Sequence, residues 1–170
     1  MTSNPTHPAA KPSDRLLKEC DETRTRRSGP GGQHRNKVET AVILVHRPTG
    51  ITAEASERRS QADNRQVALG RLRLKLALDH RLPADPAGPS ALWRRRTTGG
   101  RLIVAVDHDD YPALVAEALD QLQATSWELP PAAATLVVTP SQLARLLRRE
   151  PAAWTTLARH RATAGLSRLS

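Results

Sequence analysis

The chain has 170 residues, with 26 Lys and Arg against 17 Asp and Glu and a pI near 11.1, a balance that points to a polyanionic partner, first among them nucleic acid. No apolar run approaches the roughly 20 residues needed to cross a bilayer, and the single cysteine, Cys20, excludes an internal disulfide and suits a reducing, cytoplasmic setting. Phe is absent and aromatic residues are 2% of the chain, which argues against a row of exposed stacking rings and leaves Arg and Lys contact with phosphate as the expected mode of binding.

MTSNPTHPAAKPSD opens the chain as a polar, proline-rich stretch without the apolar centre of a secretion signal, so residues 1–12 are expected to be a disordered tail. SDRLLKEC predicts a short helix with Ser13 as its N-cap. DETRTRRS alternates as a strand running into SGPGGQ. Beyond it, TAVILVH (40–46) is a strong strand, with Thr40, Val42, Leu44 and His46 on one face and Ala41, Ile43 and Val45 on the other. RPTG is turn chemistry and ITAEAS (51–56) alternates again, so the pair reads as a β-hairpin. Ser60 followed by Asp63 resembles a capping box, and Leu69, Leu72 and Leu76 carry a helix to about Asp79. Residues 13–80 are thus expected to form a small α+β domain; over residues 1–80, 15 basic less 9 acidic residues leave +6.

PADPAGPS (83–90) is the expected boundary, inside a linker spanning 81–100, where Trp93-Arg94-Arg95-Arg96 reads as a solvated charge run that can add phosphate contacts. RLIVAV (101–106) predicts a strand, and DYPALVAEALDQL (110–122) an amphipathic helix with Leu114, Ala118, Leu119 and Leu122 on one side. PAAATL, SQLARLLRRE and PAAWTTLARHRATAGL predict three short helices, with Pro140 and Pro151 near helix starts. Residues 101–170 are therefore expected to be a small, mainly helical module. Arg145, Arg148, Arg149, Arg159, Arg161 and Arg168 are interleaved among its leucines, and Trp127 and Trp154 are expected in its core. AAATLVVTPSQLARLLRR is loosely similar to a helix-turn-helix whose second helix bears Gln142 and Arg145, although that motif usually has Gly where Val137 stands. The six histidines are scattered and Cys20 has no partner, so neither a metal nor another cofactor is expected.

RRSGPGGQHRNK (26–37) is the chemically distinctive stretch. Gly29, Gly31 and Gly32 permit positive φ and close approach by a partner, while Pro30 stiffens the turn between them. Gln33 is the one uncharged side chain at the tip with both donor and acceptor. It is too weak a base to take a proton, but it can orient a water while its backbone N–H donates to a developing oxyanion. That combination suits hydrolysis of an ester.

SGPGGQHRNKVETAV, the hairpin through HRPTGI, and ERRSQADNRQVAL together resemble the catalytic domain of bacterial class I peptide chain release factors. They are equally similar to the stand-alone GGQ proteins that rescue stalled ribosomes, in register from about Leu16 to Leu78. The resemblance implies a GGQ domain, a β-hairpin-containing sheet packed on a helix. It also implies hydrolysis of the ester joining nascent peptide to tRNA on the large ribosomal subunit, with ribosomal RNA and peptidyl-tRNA as partners and no cofactor. Gly31 and Gly32 would shape the loop around the terminal adenosine and Gln33 would position the water, with Ser28, Gly29, Pro30 and Asn36 supporting the loop. Lys37 would meet ribosomal RNA; Arg27 and Arg35 add charge beside the loop. Arg58 and Arg65 match the segment that opens the helix, as RNA contacts or as a solvated face. Arg35 departs from the small apolar residue usual there, and His34 is not expected to be a base. Many family members are N-methylated at this glutamine, which makes Gln33 a candidate for a glutamine methyltransferase.

Members that terminate at stop codons carry a codon-reading domain of more than about a hundred residues ahead of the GGQ domain, and here only 15 or so residues precede the resemblance. Without Phe, no Ser-Pro-Phe reading loop is possible. Codon-independent rescue by a monomeric cytoplasmic protein is therefore the expectation, with a non-catalytic RNA- or ribosome-binding protein and a helix-turn-helix DNA binder as alternatives. The folded carboxy-terminal module departs from the basic tail of one rescue type, so that mode of target selection does not carry over.

Overall fold

The computed structural model describes residues 5–25 and 40–169, arranged in two compact units, Lys11–Leu76 and Met1–Ala10 with Ala77–Ser170. The division falls ahead of the expected boundary at 83–90.

In the first unit, helix α1 (Ser13–Lys18) buries Leu16 and leads into a three-stranded antiparallel sheet, ordered β1 (Cys20–Thr25), β2 (Ala41–His46), β3 (Thr52–Ala55). Ser13 does not cap α1: Pro12 holds the N-cap position, and the Ser13 hydroxyl instead accepts from Arg73 at 3.1 Å. β2 is central, pairing Cys20 with His46 through Thr25 with Ala41 on one side and Val42 with Ala55 through Val45 with Thr52 on the other. The alternation in TAVILVH places Val42, Leu44 and His46 on the buried face, together with Ala53 and Ala55 of β3. Helix α2 (Gln61–Asp79) turns Ala68, Leu69, Leu72 and Leu76 inward at helical spacing. The helix is tied to the sheet by Arg71 and Lys75, which donate to the carbonyls of Glu54 and Thr52 at 2.8 and 2.7 Å. The whole is α+β, a hairpin-containing sheet on a helix followed by a mainly helical module, as the sequence predicts.

The second unit departs further from expectation. Residues 5–12, expected to be disordered, include a 3-10 turn at Pro8–Ala10 in which Pro8 and Ala9 are buried and which packs on helix α4 (Tyr111–Ala124). His7 fixes that turn. Its Nδ1 accepts from the Ala9 N–H and its Nε2 contacts the His80 carbonyl, both at 3.1 Å, so the ring is held neutral with the proton on Nε2. The supposed linker contains helix α3 (Ala91–Arg96), capped by Ser90, whose hydroxyl accepts from the Trp93 N–H at 3.0 Å and donates to Glu117 at 2.6 Å. Trp93 is no part of a solvated run. It is 0% exposed and its indole N–H donates to the Leu136 carbonyl at 2.8 Å. Trp127 and Trp154, expected in the core, are only half-buried, stacked on His160 and lying under Arg148 respectively.

RLIVAV does not form one strand. Only Arg101–Leu102 (β5) pairs, with Thr97–Thr98 (β4), because a strand needs a partner as long as itself and β4 has two residues. α4 is not one-sided either: Tyr111 to Ala116 and Ala118 to Leu122 are all buried, the alanines letting neighbouring helices close in. Helices α5 (Leu129–Thr135), α6 (Pro140–Arg148) and α7 (Pro151–Thr163) follow as expected, with Pro140 and Pro151 at their first positions. Arg81 and Asp120 form a buried pair at 2.8 Å. Arg161, read in the sequence as one of the interleaved basic residues, is buried and donates to the carbonyls of Trp127 and Ser167 at 2.8 and 3.0 Å.

Candidate active site

The glycine-rich stretch leaves β1 after Thr25 and rejoins the chain ahead of β2, and Thr25 pairs with Ala41 across the two strand ends. Arg27, Ser28, Gly29, Pro30, Gly31, Gly32, Gln33, His34, Arg35, Asn36 and Lys37 fall within 26–39, outside the described residues. What is on view is the frame from which that connection starts and to which it returns.

The return side is held by a side chain the sequence does not single out for a role. Asn64, 0% exposed, sits in the first turn of α2. Its Nδ2 donates to the Thr40 carbonyl at 2.7 Å and to the Arg58 carbonyl at 2.9 Å, and its Oδ1 accepts from the Arg58 N–H at 2.9 Å. One amide thus joins the residue just before β2 to the turn opening α2, and it makes three bonds of the four available to it. Ser60 holds the same turn, its hydroxyl accepting from the Asp63 N–H at 3.3 Å.

The leaving side is held by charge. Arg65 Nε lies 2.7 Å from Glu22 Oε2 on β1, and Arg24 Nε is 3.3 Å from the other carboxylate oxygen. Arg65, read from sequence as an RNA contact or a solvated charge, therefore has an intramolecular partner 43 residues upstream and remains half-exposed. The Arg58 side chain is exposed, and its backbone belongs to the Asn64 network.

At the opposite end of β2, His46 is buried, with Nε2 3.1 Å from Glu19 and Nδ1 2.7 Å from Thr49 in the hairpin turn. The Lys11 ammonium, 2.5 Å from Glu19, and then His46 hold the Glu19 carboxyl below its usual range. Gly50, at φ 70, closes this turn with its N–H on the His46 carbonyl at 2.7 Å. Burial pushes the Cys20 thiol up, away from the thiolate a nucleophile needs. No group of His, Cys, Asp and Glu able to hold a metal occurs among the described residues, and none of the described helices is long and apolar enough to cross a membrane.

The frame has known counterparts. Residues 16–96 match the RF-1 domain family. A mitochondrial peptide chain release factor 1-like protein of Mus musculus is 49% identical over 55 residues, 32% of this chain and 15% of its own. Peptide chain release factor 2 of Variovorax paradoxus (strain S110) is 53% identical over 57 residues, 34% of this chain and 15% of its own. Peptide chain release factor 1 of Xylella fastidiosa (strain 9a5c) is 40% identical over 74 residues, 44% of this chain and 20% of its own. The chain thus spans a fifth or less of the length of these relatives. Residues 16–96 thus match the RF-1 domain, and over that stretch the chain is similar to class I peptide chain release factors.

Proposed function

We propose that this protein hydrolyses the ester of peptidyl-tRNA on the large ribosomal subunit without reading a codon, releasing peptides from stalled ribosomes or split subunits. The observation that carries the reading is the RF-1 domain match over residues 16–96, which encloses the intact Gly31-Gly32-Gln33. The paired ends of β1 and β2 support it, since a braced frame is what a chemically active connection requires to hold its geometry.

In this mechanism the oxygen of a water held by the Gln33 side chain attacks the ester carbonyl carbon. The Gln33 backbone N–H donates to the oxyanion as it forms. The bond from that carbon to the ribose oxygen then breaks, and the proton lost by the water ends on the ribose oxygen. Gln33 takes no proton. Gly31 and Gly32 admit the terminal adenosine, and Ser28, Gly29, Pro30 and Asn36 shape the loop. Arg27, Arg35, Lys37 and Arg58 meet ribosomal RNA, whereas Arg65 contributes chiefly by bracing Glu22. No metal or organic cofactor enters this chemistry. The protein works as a cytoplasmic monomer, and Gln33 is the substrate of a glutamine methyltransferase.

Codon independence is favoured because Pro48-Thr49-Gly50 lies in the β2–β3 turn and residues 77–169 build a helical unit around α4. The test is release of labelled peptide from purified stalled complexes with no stop codon in the A site. Wild type should release peptide, and Gln33→Ala and Gly32→Ala should slow release by about 10²- to 10³-fold, the scale of losing an oxyanion donor or its alignment. Full turnover by Gly32→Ala would sink the loop's role. Binding without release by the wild type would make the protein a non-catalytic ribosome binder.

A further inference from the structure

The second unit holds a cleft that the ester chemistry does not use. It lies between the extended segment 101–104 and helix α6, with a volume of about 280 Å³. Its apolar lining includes Leu102, Ile103 and Leu146, and Ile103 is 62% exposed. Around that lining stand Arg101, Gln142, Arg145 and Arg149.

Their convergence on one apolar lining sets these side chains apart. Several arginines elsewhere are matched to acceptors, as Arg47 is to Asp21, Arg81 to Asp120 and Arg96 to Asp110, whereas free ones such as Arg159 stand outside this cleft. Arg101, Arg145 and the Gln142 side-chain amide have no such partner among the described residues. Arg149 is fixed rather than neutralised. One Nη donates to the Val104 carbonyl at 2.6 Å and the guanidinium lies 5.9 Å from the Tyr111 ring centroid, so its charge and remaining N–H donors stay available. Clustering unneutralised cations costs stability, and an anion supplied from outside removes that cost.

We infer that this cleft binds an unpaired nucleotide of RNA, its base seated on Leu102, Ile103 and Leu146, its edge read by the Gln142 amide, and its flanking phosphates held by Arg101, Arg145 and Arg149. An apolar surface ringed by donors matches the two parts of an unstacked nucleotide, an apolar face and an anionic backbone. A DNA duplex keeps its base faces stacked and offers Ile103 only groove edges and thymine methyls, not the whole base face that fits the cleft. Helix α6 follows α5 across a short turn, in the order a helix-turn-helix has. Yet Arg148, on the exposed side of that helix, lies over Trp154 at 4.6 Å, which engages part of the surface a major groove would need.

The inference goes beyond peptide release and is tested without a ribosome, so either reading can fail alone. Anisotropy of the full chain with a fluorescein-labelled, single-stranded RNA 12-mer of mixed sequence is followed between 50 and 200 mM salt. Arg101→Glu/Arg145→Glu should weaken binding at least tenfold and flatten the log–log salt slope by about 1.4, two phosphates at ~0.7 each. Gln142→Ala should weaken it about threefold with the slope unchanged. Arg159→Glu, an exposed charge on α7 outside the cleft, should stay within twofold of wild type. Arg145→Gln provides a second, gentler variant, and thermal melts confirm that each protein is folded. Unchanged affinity in the cleft variants, or an equal loss in Arg159→Glu, would overturn the proposal. Tighter binding to duplex DNA of the same sequence, lost with the same substitutions, would replace it with the helix-turn-helix reading.

Discussion

Asn64 leaves no simple substitute. Alanine there abandons the Thr40 carbonyl, the Arg58 carbonyl and the Arg58 N–H together, while aspartate keeps the acceptor but buries a charge and loses both donors. Asn64→Ala should lower the unfolding free energy by about 2–3 kcal/mol, read by urea denaturation, since buried polar groups stranded without partners cost about 1–3 kcal/mol each and some will find water. Peptide release should fall further than the loss of folded protein explains, because Thr40 adjoins the connection carrying Gln33. The sequence shows Asn64 only as part of the family resemblance. Its three bonds reach Thr40 and Arg58, and no periodicity encodes a contact across 24 residues. Arg65 is obscured for the same reason: Glu22 neutralises it from strand β1. Ser60, by contrast, acts within its own turn and is legible from local spacing.

The turn between α5 and α6 shows how far an element can deviate from its usual chemistry and still form. Val137 occupies the left-handed region at φ 56, with its N–H on the Ala134 carbonyl and the Val138 N–H on the Ala133 carbonyl, the paired bonds of a Schellman motif. Glycine is expected at such a position, and its absence weakens the sequence match to a helix-turn-helix; the backbone adopts the turn regardless. α4 ends alike at Ser126, φ 53, and α7 ends at Gly165, φ 70, so one cap geometry serves three helices and only one of them has its usual residue. A β-branched residue at positive φ costs roughly 1–2 kcal/mol, and Val137 is 65% exposed with little packing to offset that. After the extra freedom glycine gives the unfolded chain, Val137→Gly should still stabilise by about 0.5–1 kcal/mol, seen as a raised Tm. The helices of this unit were legible because proline starts and leucine spacing act locally. The strand at 101–106 was misread because alternation reports a pattern, not a partner.

At the scale of the whole molecule, two buried groups in the second unit titrate with opposite sign. Burial lowers His7 to about 4, so the unfolded chain takes up a proton near 6.5 that the folded chain refuses, and stability falls as pH drops through that window. Burial raises Asp120 to about 6, so the folded chain retains a proton that the unfolded chain releases near 3.8, and stability falls as pH rises between them. The two slopes offset between about pH 4 and 6. Relative to wild type, His7→Gln should therefore lose stability as pH rises through this window, by up to about 1.4 kcal/mol per unit, in urea titrations of both proteins at stepped pH. Nothing in MTSNPTHPAAKPSD marks His7 as a core residue, because what buries it lies more than seventy positions away. The Gly31-Gly32-Gln33 tripeptide, to which the proposed function assigns the chemistry, is the opposite case. Its glycines, its glutamine and its family resemblance were legible in a dozen residues, because chemistry of this kind resides in residue type and local order.

The 3-10 turn at Pro8–Ala10 belongs to the same compact unit as α4, while Lys11–Leu76 forms the other. The ribosome making this protein therefore emits the first piece of the second unit before any of the first. About a hundred residues separate Ala9 from the helix it packs against, and at ~5–20 residues per second that is some 5–20 seconds of synthesis. During that interval the sheet and its helix can close on themselves, while His7, Pro8 and Ala9 wait in water for a partner not yet translated. Most of the stretch that matches the release-factor domain, up to Leu76, thus lies in the unit whose folding need not await the rest.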